Sequence, residues 1–127
     1  MRSDRTLRKY YRLINRKFFD NELPDNVCVR YLSEAEQDAG LEEKYFGWTS
    51  NLEGTSHDDG RHKYVIVISR EKNPGWSAVL ATLAHEMIHV STGMRDAHGP
   101  VFEKKREMIA DRGIFKKGAL LRGCTIF

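Results

Sequence analysis

The stretch that decides the fold is His85-Glu86-Met87-Ile88-His89, answered nine residues later by His98 in the run His98-Gly99-Pro100-Val101-Phe102. On a helix, positions i and i+4 lie about 40° apart around the axis and one turn apart along it. His85 and His89 can therefore hold one ion between them. Glu86 projects about 100° from His85 and about 60° from His89, so it flanks the ligand face without joining the ligands. This is the H-E-x-x-H arrangement, in which two imidazoles bind zinc and the carboxylate takes a proton from the water that the ion activates.

The flanking residues predict a helix from Trp76 to Thr92. Trp76, Val79, Leu80, Leu83, Met87 and Val90 fall on the side opposite His85, as a core stripe should. The face bearing both histidines carries Ala78, Ala81, Thr82 and Thr92, small enough to leave room for an ion and a substrate. Two histidines on a polar face fit a site better than they fit packing. Asn73-Pro74 reads as the helix start, Asn as cap and Pro at the first position, and Gly93 as the stop. Met94 to Ala97 then turns the chain back, and Gly99 lets the backbone bend tightly around His98. A last helix is expected from Pro100 to about Arg112, with Val101, Phe102, Met108 and Ile109 facing in and Gly113 closing it.

Toward the N-terminus, Leu7, Tyr10 or Tyr11, Ile14 and Phe18 recur at helical spacing over Asp4 to Phe19, with Ser3 or Asp4 as N-cap. The other faces carry Arg5, Arg8, Lys9, Arg12, Arg16 and Lys17. They read as a solvated amphipathic helix in preference to a phosphate-tracking one. Asn21 to Asn26 breaks the helix. Val27 to Leu32 has strand character, Ser33 to Glu36 is a capping box ended by Gly40, and Lys44 to Thr49 is a second strand. His62 to Ser69 is the most β-like run and pairs with that second strand as a long-looped hairpin. His57, Asp58, Asp59 and His62 resemble a second metal site, but without fixed spacing on a regular element they read as turn polars. The segment Ile114 to Phe127 is expected to add a short strand or an irregular cover.

At 127 residues the chain has the size of one domain. Its 40% hydrophobic and 31% charged content is that of an ordinary globular protein. No apolar run approaches a membrane span, and the basic N-terminus lacks the apolar core of a secretory signal. Cys28 and Cys124 form no C-x-x-C pair and read as free thiols in a reducing compartment, neither of them a zinc ligand. A net charge of +3 permits nucleic-acid contact without demanding it. An intracellular location is expected, cytoplasmic or associated with nucleoid or nucleus, with no membrane partner and a monomeric state assumed.

FFDNELP after the first helix, the strand VIVISR, ATLAHEMIH and then HGPVF with a basic helix behind it stand in this order. Together they resemble the SprT-like metalloprotease family, which includes Spartan. The resemblance spans nearly all of residues 1–127, and HEMIH followed by HGPVF is its most specific part. It implies an α+β, zincin-like single domain. In it a small, mostly antiparallel sheet packs on an N-terminal helix, the active-site helix and a C-terminal helix. It further implies one zinc ion on His85, His89 and His98, with Glu86 as catalytic acid/base. The implied activity is endoproteolysis of protein substrates, in several relatives proteins bound or crosslinked to DNA, hence a role in DNA repair. Many relatives carry a cysteine-rich zinc ribbon after this domain, which residues 1–127 do not include, and the eight-residue gap between His89 and His98 is shorter than in some.

Two other readings follow from the same residues. One is a catalytically inactive, zinc-stabilised module that binds nucleic acid or protein. The other is a metal hydrolase acting on something besides a peptide bond, since the same ion and base can activate water against other carbonyls. Glu86 argues for hydrolysis, because a closed structural site has no use for a base.

Overall fold

Strand β3 (Tyr64–Ile68) is buried at every position, the pattern of a strand covered on both faces and flanked on both sides. The computed structural model describes residues 1–41, 45–95 and 98–113, so the cover expected from Ile114 to Phe127, with Cys124, lies outside the described residues. Within them the order is α1 (Arg5–Phe18), β1 (Val27–Tyr31), α2 (Glu34–Asp38), β2 (Gly47–Asn51), β3, α3 (Trp76–Ser91) and α4 (Pro100–Asp111). The class is α+β, as expected.

The sheet corrects one expectation. Its order is β1-β3-β2, with β2 antiparallel to β3 but β1 parallel to it, so it is mixed and not mostly antiparallel. The hairpin of β2 and β3 is present, with β2 shifted to Gly47–Asn51. Ser69 N donates to Phe46 O (3.0 Å) and Leu52 N to Lys63 O (2.8 Å). Antiparallel bonding alternates, so the backbone N–H and C=O of Gly47, Thr49 and Asn51 point away from β3, toward the edge that no described strand pairs.

One face of the sheet turns Val27, Val29, Ile66 and Ile68 toward α1 and α3, and the other buries Cys28, Val65 and Val67 with Leu32 and Leu52. Helix α1 starts where the Asp4 carboxylate accepts Leu7 N (3.0 Å), and its Leu7, Tyr10, Tyr11, Ile14 and Phe18 are buried. It ends at Asp20 and Asn21, both at positive φ. The Asn15 amide then clasps both backbone groups of Leu23, and Tyr11 donates to Pro24 O. The capping box at Ser33 and Glu36 is complete.

Helix α3 departs from expectation at its start. Gly75 occupies the cap position at φ +83° without a side-chain cap. Losing a cap costs about 1 kcal/mol. That is small against burying Val79, Leu80, Leu83, Met87, Ile88 and Val90, each contributing roughly 1.5–3 kcal/mol. Asn73 is instead 3% exposed, and its Nδ2 donates to Phe46 O (2.9 Å) and Ser69 O (2.7 Å) while Oδ1 accepts from Thr82 Oγ1 (2.5 Å). A buried amide must find partners, and these three fasten α3 to the hairpin. Trp76 is not core: it lies 38% exposed, its ring 5.2 Å from that of Tyr10.

Helix α4 packs on α3, with Phe102 and Ile109 buried, whereas Val101 and Met108 are exposed, contrary to the expected inward face. Among the described residues no helix is long and apolar enough to cross a membrane.

Candidate metal centre and its carboxylate

Helix α3 puts His85 and His89 one turn apart, and its C-terminus decides where the third histidine goes. Gly93 N donates to Val90 O and Met94 N to His89 O, both at 3.0 Å, with Gly93 and Met94 at φ +64° and +63°. This is a Schellman turn. It reverses the chain so that His98 comes back over the helix. Gly99 does not need glycine's freedom here, because its φ of −77° and ψ of −163° are extended values open to any residue. It serves as the cap of α4, its carbonyl accepting Glu103 N (3.0 Å).

The three imidazoles meet. His85 Nε2 and His98 Nε2 are 3.2 Å apart, and one ligand nitrogen from each of His85, His89 and His98 lies within 4.8 Å of the others. Ring centroids are separated by 5.3 Å (His85–His89), 5.2 Å (His85–His98) and 5.0 Å (His89–His98). Tetrahedral coordination at Zn–N distances near 2.05 Å would put the nitrogens about 3.3 Å apart and the centroids about 5.2 Å apart. The ring spacing already matches. Burial, and then the neighbouring His98, hold His85 below the usual histidine pKa, in the neutral form a metal requires. The group can therefore hold a metal ion.

Phe102 packs on all three rings, its centroid 5.2, 4.4 and 4.9 Å from those of His85, His89 and His98. Sequence reading placed Phe102 in the core but missed this contact. Its spacing of four from His98, across a proline-started helix, was the available signal.

Glu86 sits nearer the core than its expected flanking place. It is 5% exposed, and its Oε1 accepts from Thr49 Oγ1 at 2.8 Å. Burial pushes its pKa up to about 7, only partly opposed by that hydrogen bond. Among the described residues, the Thr49 hydroxyl is the side-chain donor to this carboxylate.

Thr49 was not singled out in the sequence. It is delivered by strand alternation, on the α3-facing side of β2 together with Gly47. At Gly47 a Cβ would stand 2.8 Å from Val67 O and 3.0 Å from Thr82 Cγ2. Only glycine lets β2 approach α3 closely enough for the Thr49 hydroxyl to reach Glu86.

The loop residues His57, Asp58, Asp59 and His62 form no further cluster among the described residues. Asp58 accepts from Gly54 N and Gly60 N, and Asp59 from Arg61 N, His62 N and His62 Nδ1, which makes them turn-forming groups. Cys28 is a buried free thiol. Of the basic face of α1, Arg8 is committed to Val27 O and Asp25, while Arg5, Lys9, Arg16 and Lys17 are exposed. Comparison with protein-family models, curated proteins and solved structures finds no significant match to this chain.

Proposed function

We propose that the chain is a zinc-dependent endopeptidase of the SprT-like, zincin kind, with His85, His89 and His98 as ligands and Glu86 as catalytic acid/base. One observation carries the reading: three imidazoles at the spacing of a tetrahedral ion, beside a buried carboxylate on the same helix whose pKa stands at about 7. A structural site usually closes with four protein ligands, and among the described residues this group has three. An all-imidazole donor set favours zinc over magnesium or calcium, which prefer oxygen.

When bound, the ion supplies a Lewis acid that polarises the scissile carbonyl and acidifies the hydrolytic water. Glu86 takes that water's proton on its carboxylate and returns it to the leaving amine nitrogen. Thr49 holds Oε1, so the carboxylate keeps one orientation while it does so. The edge of β2 that no described strand pairs runs beside Glu86. An extended polypeptide adding there would bond to Gly47, Thr49 and Asn51 through backbone alone, which favours unfolded segments with weak sequence preference. Proteins bound or crosslinked to DNA are the substrates that the SprT-like resemblance suggests.

Digestion of casein and histones tests this, with and without chelator and single-stranded DNA, comparing wild type with Glu86→Gln. Cleavage sensitive to chelator and absent from the Gln variant is expected. Cleavage that survives chelation, or that the variant retains in full, would refute the reading.

A further inference from the structure

A second concavity lies away from the histidines, at the carboxyl ends of the two parallel strands. Tyr31 closes β1 opposite Ile68 of β3, and the segments that leave there open a cleft of about 400 Å³. Arg2, Ser3 and Asp4 line it from the approach to α1, Gln37 from α2, and Arg70 from just beyond β3. Crevices at the carboxyl ends of parallel strands are common ligand sites. This volume is near the lower end for small-molecule sites.

The charges are unevenly committed. Arg30, also in the wall, is bound to both oxygens of Glu36 at 2.6 and 3.0 Å, so it shapes the cleft and adds no spare charge. Asp4 is occupied in part as the α1 cap. Arg2 and Arg70 have no carboxylate partner among the described residues. Arg70 is not loose either: its guanidinium carbon lies 4.1 Å from the Tyr31 ring centroid, a stacked cation–π pair that pre-orients its donors. Two guanidinium groups without a carboxylate partner among the described residues face one cavity, Arg70 being held by Tyr31 alone; they match a phosphate better than a carboxylate, which has fewer oxygens to share. The cavity exceeds what a bare phosphate fills. The Gln37 amide and the Asp4 carboxylate line the same space and suit hydroxyl or amine groups on the ligand's body.

We propose that this cleft binds a small phosphate monoester, its phosphate between Arg2 and Arg70 and its organic body along Asp4 and Gln37. The site shares no residue with the histidine cluster, so it stands whether or not the chain is a peptidase. Calorimetric titration of the full chain, in buffer free of phosphate and sulfate, uses AMP, inorganic phosphate and adenosine as probes. AMP should saturate with a Kd on the order of 0.1–1 mM, inorganic phosphate should compete with it, and adenosine should give no signal. Arg70→Ala and Arg2→Ala, both exposed and safe for folding, should each weaken AMP by at least about tenfold. Tyr31→Leu should weaken it too, by releasing Arg70. The proposal fails if AMP does not saturate by about 10 mM, if adenosine binds as well as AMP, or if both Arg variants bind like wild type. It also fails if chelator abolishes binding, which would locate the phosphate on an ion at the histidines.

Discussion

Glu36 and Glu86 carry the same side chain into opposite surroundings. Glu36 meets donors on every side: the Arg30 guanidinium on both oxygens and the Ser33 backbone N–H. Arg30 first, with the Ser33 bonds, holds its pKa down at about 2. Glu86 is more deeply buried and, among the described residues, meets one hydroxyl and no cation, so desolvation lifts it to about 7. A carboxylate that builds structure is saturated with donors. One with a single described donor, on an apolar helix next to a histidine of the cluster, is what the proposed proton transfer calls for.

The sharpest way to break this contrast is substitution. Glu86→Gln should lower peptide cleavage by about 10²–10⁴-fold while metal content by atomic absorption is unchanged, whereas Glu36→Gln should leave cleavage intact. Loss of activity in both variants would mean that Glu86 is merely structural. Metal removal is next. Zinc at a thousandfold above its Kd should stabilise the fold by about 4 kcal/mol, seen as a higher Tm. His98→Ala should abolish most of that shift and Glu36→Gln none of it.

Thr49 tests how the base is held. Thr49→Val keeps shape but removes the hydroxyl, and a lost bond to a charged group of about 1.5 kcal/mol predicts a roughly tenfold fall in kcat. Thr49→Ser should restore the rate. The smallest effect is on pH. Because the folded pKa of Glu36 lies below its unfolded value, its stabilisation is present above about pH 4.5 and lost as pH falls toward 2. For a pair still open to solvent this is about 1 kcal/mol, and denaturant melts of Glu36→Gln should converge on wild type in acid. Glu86 has the reverse sign in the metal-free protein: its burial costs nothing below about pH 4.5 and progressively more toward pH 7. Glu86→Gln should therefore gain on wild type as pH rises.

What the sequence made legible was local. Histidine spacing, the core stripe from Val79 to Val90, the Ser33–Glu36 box and the Gly93 stop all rest on contacts within a few residues, where periodicity speaks directly. What it hid was long-range. Nothing in Val27 to Leu32 says that its neighbour will be β3 running the same way, because a strand pattern carries no direction. Asn73 looked like a cap because Asn-Pro so often is, yet three partners brought by tertiary structure outbid the local role. Thr49 reaches Glu86 across 37 positions, and only the fold reveals that pair. Trp76 and Met108 fit a helical stripe and still face out, since the stripe marks a direction and not how far the neighbouring elements extend.

The third histidine stands just ahead of α4, a helix joined to the rest by Phe102, Ile109, the Lys105–Glu22 pair and the Arg112 contacts with Phe18 O and Asp20. A cation shared by His85, His89 and His98 would rivet that helix to α3. Amide exchange in α4 of the stripped protein should then report a low-energy opening that leaves the sheet closed. Loading the ion should slow α4 and the C-terminal turn of α3 together, as one unit.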